Sequence, residues 1–211
     1  MHSTFVSLII VIAYISIILE IVFFSVPSVA ATHKLFSTDK RHIDTSGLLG
    51  KVRQFSSARK FIVLYVPNIL SVIAFIIPLV LIFSPGLNAY LYPLNFLNSD
   101  YLRIIGVILI ITGRGVSLSA VPLIKGKNGQ INTDVSLITG GVFTFSRNPI
   151  ALGMLLTFLG ILFIVPSFIL LFGFLIYAAN LHFRILLEEE FLMSRYGNQY
   201  EKYLRKARRY L

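Results

Sequence analysis

The sequence predicts an all-α polytopic integral membrane protein. It should have about five transmembrane helices, the last two paired as a helical hairpin, and an amphipathic cytoplasmic tail helix. Three observations carry this. Of 211 residues, 56% are hydrophobic and 13% charged, against roughly 45–50% and 25% in soluble domains. The apolar residues gather into runs near the roughly 20 residues that a helix needs to cross the hydrocarbon core. The Lys and Arg residues fall in alternate connections between those runs, as the positive-inside rule requires.

The runs are read in order as residues 5–26, 61–83, 101–123, 150–165 and 168–187. The first resembles a signal peptide in ending on "SVPSVAA", but it is long and "MHST" before it has no Lys or Arg. A retained span is therefore expected. The fourth run is short and bracketed by Pro149 and Pro166, residues that suit helix ends. Only "VPS" separates the last two runs, so they should be antiparallel neighbours.

Between the first two runs lie Lys34, Lys40, Arg41, Lys51, Arg53, Arg59 and Lys60, and between the second and third there is no Lys or Arg. Lys125, Lys127 and Arg147 follow the third, and six basic residues from Arg195 to Arg209 sit in the tail. The N-terminus is thereby expected outside and the C-terminus in the cytoplasm, the parity that five spans also give. The loop over 32–60 reads either as a surface resting on anionic lipid or as a solvated linker. A net charge of +10 in so apolar a chain points to membrane lipids as partners and not to nucleic acid.

With no cysteine, disulfides, thiolate metal sites and cysteine nucleophiles are excluded. His2, His33, His42 and His182 are scattered without metal-ligand spacing, so no metal is expected. No P-loop, dinucleotide fingerprint, zinc-protease motif or nucleophile elbow occurs.

Charges inside a bilayer are functional candidates by default. Glu20 lies in the first run, near its expected cytoplasmic end, and Arg114 lies deep in the third. Glu20 is read as an interface or snorkelling residue; Arg114 is read as a helix-packing or snorkelling residue, with Gly113 and Gly115 letting another helix approach, and a site-lining role is its alternative. Near the end of the fifth run, Arg184 and Glu188 stand four apart and share a helix face. Glu189 and Glu190 follow directly. The local sequence does not neutralise three adjacent carboxylates. One reading pairs Glu188 with Arg184 and lets another carboxylate reach Arg147. The other makes these groups line a polar pocket at the membrane rim.

"TGGVFTFSRNPIALG", the hairpin, and "RILLEEEFLMSRYGNQYEKYLRKARRY" together resemble the isoprenylcysteine carboxyl methyltransferase family of membrane enzymes, whose relatives act on phospholipid amines. The resemblance spans about residues 137–211. It rests on Gly141, Phe143, Arg147, Asn148, Pro149 and Gly153, then Arg184, Glu188, Glu189, Leu192, Tyr196, Gly197, Tyr200 and Tyr203. It implies S-adenosyl-L-methionine as cofactor and methyl transfer to a lipophilic or lipidated acceptor at the cytoplasmic face. Carboxyl O-methylation is the favoured form. Gly141, Phe143, Arg147, Asn148, Pro149 and Glu188 are then expected to bind the cofactor, with Arg184 and Glu189 as catalytic residues. Asn148 stands where family members often carry histidine, and Ala151 where tyrosine is usual, which would widen the pocket or remove a stacking face. Residues 1–124 form the expected N-terminal transmembrane region and 125–211 the cofactor-binding region. A membrane reductase of the steroid-reductase type and a non-catalytic membrane scaffold are the alternatives, the scaffold predicting that Arg184 and Glu188 merely pair.

Overall fold

The computed structural model describes residues 4–20, 22, 47–84, 86–87, 91–128 and 137–211. Among these residues all regular structure is helical. Helix α1 is Thr4–Glu20, and two short helices, α2 (Leu48–Arg53) and α3 (Ser57–Leu64), lead into α4 (Val66–Phe83). Helix α5 is Asp100–Asn128, α6 Pro149–Ile164, α7 Phe168–Tyr196 and α8 Asn198–Leu204. Ser57–Phe83, Asp100–Ile124 and Phe168–Tyr196 are long and apolar enough to cross a membrane, and α1 and α6 are shorter apolar helices. The chain is a polytopic membrane protein, with five apolar helices among the described residues. His2, His33, His42, Lys34, Lys40, Arg41 and the "SVPSVAA" stretch lie outside the described residues.

Its surface is the inverse of a soluble domain's. Ile12, Ile73, Ile76, Ile108, Ile111 and Phe172 point outward, while Glu20, Arg114, Ser117, Thr157 and Asn180 are buried. Hydrocarbon solvates the first set without cost, whereas the second must find partners within the protein.

Helices α5 and α6 run antiparallel and touch backbone to backbone. A Cβ built on Gly106 would stand 2.7 Å from the Gly160 carbonyl oxygen, and one on Gly113 2.5 Å from that of Gly153. The seven-residue step on both helices keeps the glycines on one seam, the spacing of a shallow left-handed crossing. Gly115, expected to share this role, meets nothing within 4 Å. Gly153 packs against α5, not against its hairpin partner. The hairpin itself is loose: α6 lies along α5, while α7 packs chiefly on α4, with Gly173 against Ala74. An Asn180 amide donates to Asn68 Oδ1 (2.8 Å) across that second interface.

The core gathers Ile10, Tyr14, Phe75, Ile110, Phe158 and Ile161 from α1, α4, α5 and α6. At one end of the bundle the connection before α5 is stitched to the α6–α7 turn. Leu94 N donates to Pro166 O and Phe168 N to Tyr92 O, each at 3.0 Å. The other end, which carries α2, α8 and the tail, holds the candidate site.

Glu20 and Arg114 correct the snorkelling expectation. Arg114 donates to Glu20 Oε2, to Ser16 Oγ at 2.7 Å and to Met154 Sδ at 3.4 Å, and Ser117 Oγ donates to Glu20 Oε1 at 2.7 Å. Neither side chain reaches for an interface, because each finds its counter-charge on the other's helix. The pair locks α1 onto the α5–α6 unit.

Candidate active site

Pro149 starts α6 and is wholly buried, a position where its missing N–H costs nothing. Just before it, residues Gly141–Thr144 form a 3-10 turn. Gly141 has φ +61°, and a Cβ there would strike Leu123 Cδ1 at 2.7 Å, so glycine is needed for both conformation and space. The turn is anchored by Tyr203, whose hydroxyl donates to Phe143 O at 2.7 Å. Phe143 packs with Leu137, Leu192 and Tyr196 around Tyr200, Tyr203 and Ala207. Burial pushes the Tyr203 phenol up to about 12, with Arg147 pulling the other way. Burial likewise raises Tyr200, and Glu189 adds to it.

Helix α7 runs without a break from the apolar bundle to Tyr196, where Gly197 at φ +47° turns the chain into α8. Near its end the three glutamates fan out at about 100° per residue onto three destinations. Glu190 accepts from the backbone N–H groups of Leu48 (2.9 Å) and Leu49 (2.7 Å) at the start of α2. Glu189 lies between two arginines: Arg147 at 3.2 Å, and Arg209 through Nε at 3.0 Å and a terminal nitrogen at 2.7 Å. Glu188 is exposed. It lies within electrostatic reach of Arg184, yet no ion pair joins the two among the described residues. The pairing of Glu188 with Arg184 weighed from the sequence is therefore not made, while the reach of a carboxylate to Arg147 is.

The tail closes this end. Arg147 N donates to Arg208 O at 2.8 Å, and Ser146 Oγ and Asn148 Nδ2 each donate to Arg209 O at 3.2 Å. His182 Nδ1 is 2.9 Å from the Tyr210 hydroxyl. Its hydrogen bonds to the accepting Glu189 carboxylate hold the Arg209 guanidinium more firmly protonated. Burial raises the Tyr210 phenol, with Arg209 opposing. The structure thus brings Arg147, Asn148 and Glu189 into one cluster. Gly141 and Phe143 sit one turn away beside Tyr203, and Arg184 and Glu188 lie on a neighbouring face of α7. Beside them, Thr139, Thr144, Gln199, Lys202, Tyr203 and Lys206 line a groove of about 440 Å³.

Two polar groups are left over. Arg147 Nε is buried without a hydrogen-bond partner, and the Glu188 carboxylate accepts no hydrogen bond among the described residues. One is a donor waiting for an anion, the other an acceptor waiting for hydroxyls or a cation.

Residues 101–199, which span α5 to the start of α8, match the family model described as phospholipid methyltransferase. Neither the curated proteins nor the solved structures gave a match to the chain. The matched segment contains Gly141, Phe143, Arg147, Asn148, Pro149, Arg184, Glu188 and Glu189. The match points to a membrane methyltransferase and not to the reductase or scaffold alternatives.

Sequence reasoning missed Arg209, the tail carbonyls, the Glu190 cap and the Glu20–Arg114 pair. Their partners stand 20 to 142 residues apart, so no local spacing could reveal them. The one available signal was a charge that the local sequence leaves unneutralised.

Proposed function

We propose that the protein transfers the methyl group of S-adenosyl-L-methionine to a lipophilic acceptor at the cytoplasmic face of the membrane. The family match over residues 101–199 carries this reading. When bound, the cofactor supplies an electrophilic methyl on a sulfonium, which an in-line nucleophile can take. The leftover groups fit such a ligand. Arg147 Nε suits its carboxylate, and the open Glu188 carboxylate suits its ammonium or ribose hydroxyls. Glu189 is already held by two arginines, so it positions Arg147 instead of touching the reacting atoms. Gly141, Phe143, Asn148 and Pro149 shape the wall beside it. Arg184, without a hydrogen-bond partner among the described residues, would orient an anionic acceptor, since a guanidinium meets a carboxylate in a bidentate fork. An acceptor that is already a carboxylate needs no base, and the work left to the protein is positioning and exclusion of water. The absence of an Arg184–Glu188 ion pair favours this over the scaffold reading.

Carboxyl O-methylation is the first form of this reading. Amine methylation of a phospholipid is the second, favoured by the family's own description and by a carboxylate free to face an ammonium. Radiolabelled methyl transfer into a total lipid and protein extract tests both. Methyl esters release labelled methanol in alkali, while N-methyl groups keep their label. No transfer, together with no calorimetric binding of S-adenosylhomocysteine, would sink the proposal.

A further inference from the structure

We infer that the Tyr177 hydroxyl is a binding contact for the methyl acceptor, set deeper in the bundle than Arg184. The inference rests on the methyltransferase reading above. Tyr177, Arg184 and Glu188 are spaced by seven and four residues on α7 and so share one face. At 1.5 Å per residue, Tyr177 stands about 10 Å further from the tail end than Arg184.

Its ring is held in place. It meets the Phe158 ring edge-on at 4.8 Å, and Phe158 stacks on Phe75 at 4.0 Å. The residue is half-buried, and it lies within electrostatic reach of Arg184 and of the Glu20–Arg114 pair. Yet its hydroxyl makes no hydrogen bond among the described residues. The hydroxyls of Tyr14 and Tyr203 donate to the carbonyls of Phe75 and Phe143, and that of Tyr210 is bonded to His182. The nearby charges make no hydrogen bond to Tyr177: Glu20 and Arg114 bond to each other and to Ser16, Ser117 and Met154. A fixed phenol tip in an apolar bundle is costly to leave unpaired, and a ligand oxygen would satisfy it.

The facing helix presents a small residue. Phe158 sets the register of α6 against Tyr177, and seven residues nearer the tail end α6 carries Ala151, at the level of Arg184. The acceptor that fits is an amphiphile whose anionic group meets Arg184. It carries a carbonyl oxygen about 10 Å deeper, where its apolar chain begins.

The test is Tyr177→Phe in the full chain, with labelled S-adenosylmethionine and a total lipid and protein extract as the acceptor source. The half-saturating amount of extract should rise about five-fold, the loss expected for one neutral hydrogen bond. Maximal rate, calorimetric binding of S-adenosylhomocysteine and thermal midpoint should stay as in the wild type. Unchanged half-saturation, or a weakened cofactor affinity instead, overturns the inference while leaving the methyltransferase reading intact. A wild-type chain that transfers no label and binds no cofactor overturns both.

Discussion

Glu188, Glu189 and Glu190 are identical in chemistry and adjacent in sequence, and the structure gives them three different tasks. The helical step separates them: one caps α2, one bridges two arginines, one is left open. Substitutions should separate them too. Glu190→Ala removes both oxygens that receive the first N–H groups of α2. It should lower stability by about 1 kcal/mol, the usual size of a lost helix cap, with turnover per folded molecule unchanged; a thermal melt in detergent and an activity assay check both. Glu188→Gln should leave the melt unaltered and weaken S-adenosylhomocysteine binding about ten-fold or more, the range for hydrogen bonds to a charged group. Glu20 differs from all three, being buried against Arg114. Glu20→Gln leaves the guanidinium buried without its counter-charge, at a cost of about 3–5 kcal/mol, whereas Glu20→Leu with Arg114→Leu should be better tolerated than either single change. Expression yield and melting temperature of the three variants decide it.

At the scale of elements, much of the fold was legible. The apolar runs at 61–83, 101–123, 150–165 and 168–187 correspond to α3–α4, α5, α6 and α7, because periodicity and prolines act locally. Pro149 and Ser167 mark the ends of the hairpin helices. Pairing was less legible. The short "VPS" link suggested that α6 and α7 pack together, but glycine on both sides of the α5–α6 contact allows a closer approach than side chains permit, and that contact dominates. Gly113 and Gly115 look alike in sequence and differ only in which way they face. Gly113→Ala should destabilise by about 1–3 kcal/mol, the range for overpacking, since the new methyl would meet backbone on α6. Gly115→Ala should be neutral or slightly stabilising through helix propensity. Paired melts of the two variants test this.

For the whole molecule, charge distribution proposes an orientation, with the tail end in the cytoplasm. The chain has no cysteine, so single cysteines can report it directly. Lys202→Cys should react with a membrane-impermeant maleimide only from the cytoplasmic side, and Asn95→Cys only from the opposite side; the reverse pattern would invert the topology. The candidate site was legible where the family resemblance concentrates, around Arg147 to Pro149 and Arg184 to Glu189. It was illegible where the tail returns, because the carbonyl oxygens of Arg208 and Arg209 are contacts that any residue type could make.

Two backbones in van der Waals contact leave no cross-section for an alkyl chain. The Gly106–Gly160 and Gly113–Gly153 contacts therefore shut the α5–α6 face of the bundle to lipid over the roughly 10 Å between them. Any lateral doorway for a bilayer-borne molecule has to open elsewhere, and the loosely packed side between α6 and α7 is where the hinge of such a door would sit.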